Sequence, residues 1–110
     1  MWTIVHEPNC RHLPESYLIY LDSLKTSGLD SKDQAKVNAE IDETVRFIDR
    51  MSQIEKEINP HPTLSPATDA QGSTCYPLQV GKWRVDYYVD DVKEVAHGVR
   101  CTHNVKLPIV

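Results

Sequence analysis

No apolar run in this 110-residue sequence approaches the roughly 20 residues that a membrane-spanning helix needs. Positive charge is also short: 12 Lys and Arg stand against 16 Asp and Glu, a net charge of −4. Proteins that live on phosphate backbones usually carry a basic surplus, because counterion release supplies much of their affinity. Taken whole, the composition therefore argues against nucleic acid. Cysteine is sparse and odd in number. Cys10, Cys75 and Cys101 cannot all pair within one chain, and they read as reduced thiols. The opening Met1-Trp2-Thr3-Ile4-Val5-His6-Glu7 has neither a basic segment nor a long apolar one, so no secretory signal is read there and the cytoplasm is the expected compartment. There is no Cys-x-x-Cys, no His-Glu-x-x-His, no glycine-rich phosphate loop and no internal repeat. His6, Cys10, His12, Cys101 and His103 offer nitrogen and sulfur, but at spacings that make no metal motif, and neither metal nor cofactor is expected.

What remains is an ordinary globular composition, 40% hydrophobic and 25% charged. A chain of this length buries enough surface to fold as one domain, taken as residues 1–110. The charge is unevenly spread: residues 1–58 hold 7 basic and 11 acidic side chains, residues 59–75 only Asp69, and residues 76–110 hold 5 basic and 4 acidic. An anion-binding surface, if there is one, belongs to the C-terminal third.

Alternation from Trp2 to His6 predicts a short first strand, broken by Glu7-Pro8-Asn9. Pro14 suits a first helical position, and Leu13, Tyr17, Leu21 and Leu24 make an apolar stripe that Gly28 ends. A second helix starts at the capping box Ser31-Lys32-Asp33-Gln34 and carries Val37, Ile41, Val45, Ile48, Met51, Ile54 and Ile58 on its inner side. Residues 59–74, rich in Pro, Ser and Thr, read as one long loop. Three strands follow: Tyr76–Val80, Trp83–Val89 after a Gly81-Lys82 turn, and Lys93–Cys101 after Asp90-Asp91. Pro77 belongs at an edge, since it cannot donate a ladder bond. The order β-α-α-β-β-β predicts an α+β fold in which an antiparallel-type sheet carries a two-helix hairpin on one face. Trp83, Val85, Tyr87 and Val89 then point to one face, while Arg84, Asp86, Tyr88 and Asp90 point to the other.

That order, with Trp2-Thr3-Ile4, the helical hairpin, the run Leu78-Gln79-Val80-Gly81-Lys82-Trp83-Arg84-Val85-Asp86-Tyr87-Tyr88 and the closing Val99-Arg100-Cys101-Thr102-His103, resembles the RelE/ParE superfamily of toxins from toxin–antitoxin pairs. The resemblance implies a toxin held by a cognate antitoxin protein. Some members of the superfamily cleave mRNA on the ribosome as metal-free endoribonucleases, and others bind and inhibit gyrase. RNA cleavage without metal needs an acceptor for the 2′-hydroxyl proton, an acid for the leaving oxygen and cations around the phosphate. Between Asn59 and Val80 there is no Lys or Arg, so the cations are Lys82, Arg84 and Arg100. Lys82 is read as phosphate-binding, and Arg84, Tyr88, Arg100 and His103 as catalytic, gathered at one corner of the sheet; His61 and His97 are further acid–base candidates. Four of these have a plainer reading. Arg84 could brace the sheet, Arg100 could pair with Asp86 or Glu94, His97 could pack in the core, and His103 could be a solvated surface residue. The alternative class is a toxin-like protein that acts by binding a partner, without catalysis.

Overall fold

The computed structural model describes residues 3–56 and 64–103. Strand β1 (Thr3–His6) is followed by helices α1 (Pro8–Lys25) and α2 (Ser31–Glu55) and by strands β2 (Ala67–Thr68), β3 (Thr74–Val80), β4 (Trp83–Asp90) and β5 (Val95–His103). The five strands form one sheet in the order β1-β5-β4-β3-β2. The α+β class and the helical pair agree with the sequence. An all-antiparallel sheet does not, because β1 runs parallel to β5, with Thr3 opposite Val95 and His6 opposite Gly98. Two helices between β1 and the rest of the sheet supply the crossover that a parallel pairing requires.

Helix α1 begins six residues before the predicted start. Pro8 takes the first helical position and Pro14 lies inside the helix, where it withholds a bond from the Cys10 carbonyl. The buried stripe is accordingly Cys10, Pro14, Tyr17 and Leu21, and Leu13 is exposed. Helix α2 is capped by Asp30, not Ser31: the Asp30 carboxylate accepts from the Asp33 amide at 2.8 Å. Gln34, expected to close a capping box, instead donates to the Lys25 carbonyl at 3.1 Å and ties the start of α2 to the end of α1. The predicted end of this helix near Ile58, the loop residue His61 and the opening Trp2 lie outside the described residues.

Both helices cover the sheet face that carries Trp83, Val85 and Tyr87. Phe47 stacks on Trp83 with ring centroids 5.4 Å apart, and the Trp83 indole N–H donates to Thr44 Oγ1 at 2.9 Å. That bond explains a departure from the predicted stripe. Thr44 turns inward to receive the indole and is fully buried, so Val45 is turned out and 41% exposed. The β3–β4 turn is a two-residue loop with Gly81 first, at φ +57°. Glu43 of α2 accepts from the Lys82 amide and sits where a Gly81 side chain would be. Strand β2, inside the stretch read as loop, pairs only with Thr74 and Cys75, so Pro77 lies where β3 is the outer strand.

Below α2, His6 joins the first strand to three other elements. Its imidazole is 2% exposed; Nδ1–H donates to Glu55 at 2.7 Å and Nε2 accepts from the Tyr87 hydroxyl at 2.5 Å, while Arg11 also binds Glu55. Burial lowers the His6 pKa from 6.5, against the opposite pull of Glu55. Against the upward push of burial, the Arg11 and His6 bonds lower the Glu55 pKa too. Both shifts have the same sign. The unfolded chain takes up protons more readily than the folded one, so the stabilisation is complete above about pH 6.5 and is lost as the pH falls. Urea midpoints measured at pH 7.5 and 5.5 should therefore drop in acid, and His6→Gln should flatten the difference. Gly98 packs flat on this ring: an added Cβ would lie 2.7 Å from His6 Cδ2 and 3.1 Å from Tyr87 Cε1. Gly98→Ala should cost about 1–3 kcal/mol in the same denaturation experiment.

Candidate functional site

The opposite face of the sheet, away from both helices, gathers three of the predicted residues. Alternation along β4 sends Arg84, Asp86 and Tyr88 to this face, and the pairing of Tyr88 with His97 places the His97 ring there as well, exposed to solvent. Arg100 arrives by a different route. Val85 pairs with Cys101 while Asp86 pairs with Val99, which leaves Arg100 as the extra residue of a β-bulge with φ +65°. Left-handed backbone at a non-glycine residue costs about 1–2 kcal/mol. The bulge carries the Arg100 side chain into the solvent, and its charge acts on both Tyr88 and Asp69.

Two residues that sequence reasoning passed over complete the cluster. Asp69 follows β2 in the tight turn leading to β3. Its Oδ1 accepts from the amides of Gln71 at 3.0 Å and Ser73 at 2.8 Å, and its Oδ2 accepts from the Tyr88 hydroxyl at 2.8 Å. The Asp69 bond raises the Tyr88 pKa, and the same bond lowers that of Asp69, so the pair rests as neutral phenol and carboxylate. Asp69-Ala70-Gln71-Gly72 has Asp and Gly at the ends of a four-residue turn, a local signal that could have marked the site. Cys75, the second, has no exposed surface. Arg84 lies along the sheet, with Nε donating to Asp86 Oδ1 at 2.8 Å and its guanidinium reaching the Cys75 thiol. Asp86 is only 8% exposed, so this bond holds Arg84 in one direction.

The other two predicted residues lie elsewhere. Crossing the bulge reverses which residues of β5 face inward, so His103 packs on the helix side. Its ring meets Trp83 at 4.5 Å and Tyr17 at 5.3 Å, its side chain is 6% exposed, and Nε2 stands 3.7 Å from Glu40. Lys82 binds the same Glu40 carboxylate, which keeps its Nζ at the α2 surface. The five predicted residues thus divide into an Arg84–Tyr88–Arg100 group on the face away from the helices and a Lys82–His103 group around Glu40. Among the described residues, no group of three or more His, Cys, Asp or Glu side chains is arranged to hold a metal.

The cluster on the face away from the helices combines two guanidinium groups, a phenol, an imidazole and the Asp86 carboxylate on strands with the Asp69 carboxylate in a turn; the cations and the proton-bearing groups are the kind that phosphate recognition and proton transfer use. It also gives a test of how the β2 segment is fastened. All three cysteines are buried, and burial pushes the Cys10 thiol up and the Cys101 thiol up to about 12. Native protein should react slowly with an aromatic disulfide reagent at every cysteine. Tyr88→Phe removes the bond to Asp69 and should speed labelling of Cys75 alone, as followed by peptide mass mapping. Equal acceleration at Cys10 and Cys101 would mean that the whole fold had been loosened. No protein-family model matches this sequence, and no curated protein matches it.

Proposed function

We propose that this chain is the toxin of a type II toxin–antitoxin pair, with a RelE/ParE-like fold, and that it cleaves mRNA at the ribosome without a metal. Arg84 and Arg100 hold the scissile phosphate. His97 takes the proton from the 2′-hydroxyl as that oxygen attacks phosphorus, and Tyr88 gives its proton to the departing 5′-oxygen, leaving a 2′,3′-cyclic phosphate and a free 5′-hydroxyl. The two guanidinium groups stabilise the charge that builds on the phosphate oxygens. His103 and Lys82, turned toward Glu40, serve the hairpin in this reading and do not touch RNA. A cognate antitoxin protein is the expected partner.

The observation that carries the reading is Arg100. Strain of this kind tends to persist where function needs the side chain so aimed; of the two described non-glycine residues with positive φ, Glu94 and Arg100, the second is a solvent-exposed arginine whose charge is felt by Tyr88. Arg100→Gly separates the two contributions. Glycine accepts φ +65° freely, so the variant should be up to about 1 kcal/mol more stable in urea. Growth inhibition and mRNA cleavage on induction should nevertheless fall by at least about tenfold. Arg100→Ala should lose the same activity without the gain in stability. Full toxicity in both variants would remove the proposal.

A second reading, a toxin-like protein that inhibits its target by binding alone, is favoured by one specific feature: Arg84 is bonded to Asp86, and the Asp69 carboxylate offsets the charge of Arg100, so the cluster carries no net excess of cations. Mapping of mRNA ends after induction separates the two. Growth arrest without new 5′ ends supports the binding protein.

A further inference from the structure

The Asp69 carboxylate already engages the hydroxyl of Tyr88, the group to which the proposed reaction assigns the departing oxygen. One of its oxygens is fixed by the Gln71 and Ser73 amides, and the other accepts the hydroxyl proton of Tyr88 at 2.8 Å, with Arg100 close enough for its charge to be felt. A phosphate oxygen bound between Tyr88 and Arg100 would need that same proton and that same guanidinium. Tyr88 has one hydroxyl proton to donate. While Asp69 accepts it, no phosphate oxygen can.

We infer that Asp69 is an internal stand-in for phosphate, an anionic plug that an RNA phosphodiester must displace from the Tyr88 hydroxyl before it is bound. The inference rests on the proposed function for the identity of the ligand, though not for the existence of the anion site. The geometry favours a plug that can withdraw. Asp69 lies in a turn next to a strand of only two residues, Ala67–Thr68, whose pairing is confined to Thr74 and Cys75. The carboxylate is joined to the long strands of the sheet through the Tyr88 hydroxyl, a side-chain bond that an incoming oxyanion can replace. Exchange of one anion for another leaves the local charge nearly unchanged.

The test is Asp69→Asn. Asparagine keeps the oxygen that accepts from the Gln71 and Ser73 amides, so the turn persists, but it removes the negative charge and turns an amide donor toward Tyr88. Inorganic phosphate and a short single-stranded RNA bearing a non-cleavable 2′-methoxy group are titrated by calorimetry against the full chain. Relative to wild type, the variant should bind both at least about fivefold more tightly, the effect expected when one charge close to the site is lost near the surface. Adding Arg100→Gln to Asp69→Asn should abolish the gain. Unchanged or weaker binding by Asp69→Asn would overturn the inference and leave Asp69 as a support for the turn. If that variant fails to fold, Asp69→Ser, which also keeps an acceptor for the turn amides, carries the same comparison. The outcomes stay distinct from those of the proposed function. Tighter phosphate binding by a protein that cuts no RNA upholds the plug and removes the nuclease, whereas RNA cleavage with no gain in binding removes the plug alone.

Discussion

The β-bulge at Arg100 sets the phase of the last strand, and the arrangement of both sheet faces depends on it. Before the bulge, Ala96 and Gly98 point toward the helices; after it, Cys101 and His103 do. An unbroken alternation would have driven the Arg100 guanidinium into the core, against Trp83 and Phe47, and turned the Cys101 and His103 side chains out to water. Burying an unpaired guanidinium costs far more than one left-handed residue. The bulge is thus the less costly solution to a strand whose polar and apolar residues do not keep a single period. It also brings Arg100 to the same face as Arg84 and Tyr88, from a strand position that simple alternation would assign to the interior.

That phase change explains how much of the molecule was legible in advance. The helical hairpin, the β3–β4 turn at Gly81-Lys82 and the inward set Trp83, Val85 and Tyr87 follow from periodicity and turn chemistry, which are local. The shared face of Arg84 and Tyr88 follows from the same rule. What could not be read is non-local. The parallel pairing of β1 with β5 depends on where two helices deliver the chain. The inward turn of Thr44 depends on an indole N–H 39 residues away that must be satisfied. His103 was assigned to the same corner as Arg100 because a bulge leaves no mark in the apolar pattern of so short a strand. Asp69 was passed over because its partner Tyr88 lies on a strand two places across the sheet, although its own turn sequence was visible.

The two acidic surfaces have different tasks. On the helix side, Glu40 and Glu43 grip the β3–β4 turn through Lys82, and Glu55 grips the first strand through His6, so carboxylates of α2 fasten the sheet at two separate points. On the face away from the helices, Asp86 and Asp69 restrain the direction of an arginine and a tyrosine. Acidity that appears in the composition as an obstacle to anion binding is therefore distributed between fastening and aiming, and only part of it bears on the site.

The pairing of Thr3 with Val95 and of His6 with Gly98 has a consequence for the order of assembly. The first strand finds its neighbour only when the last has been made. The apolar side of the helical hairpin stays uncovered until β4 lies against it and β5 completes the sheet, pairings that are distant in sequence and therefore slow to form. The face that holds Arg84, Tyr88 and Arg100 comes into being in that final step. Closure of the sheet through Thr3–Val95 and His6–Gly98 therefore ties the first strand directly to the strand that carries Arg100, across more than ninety residues of sequence.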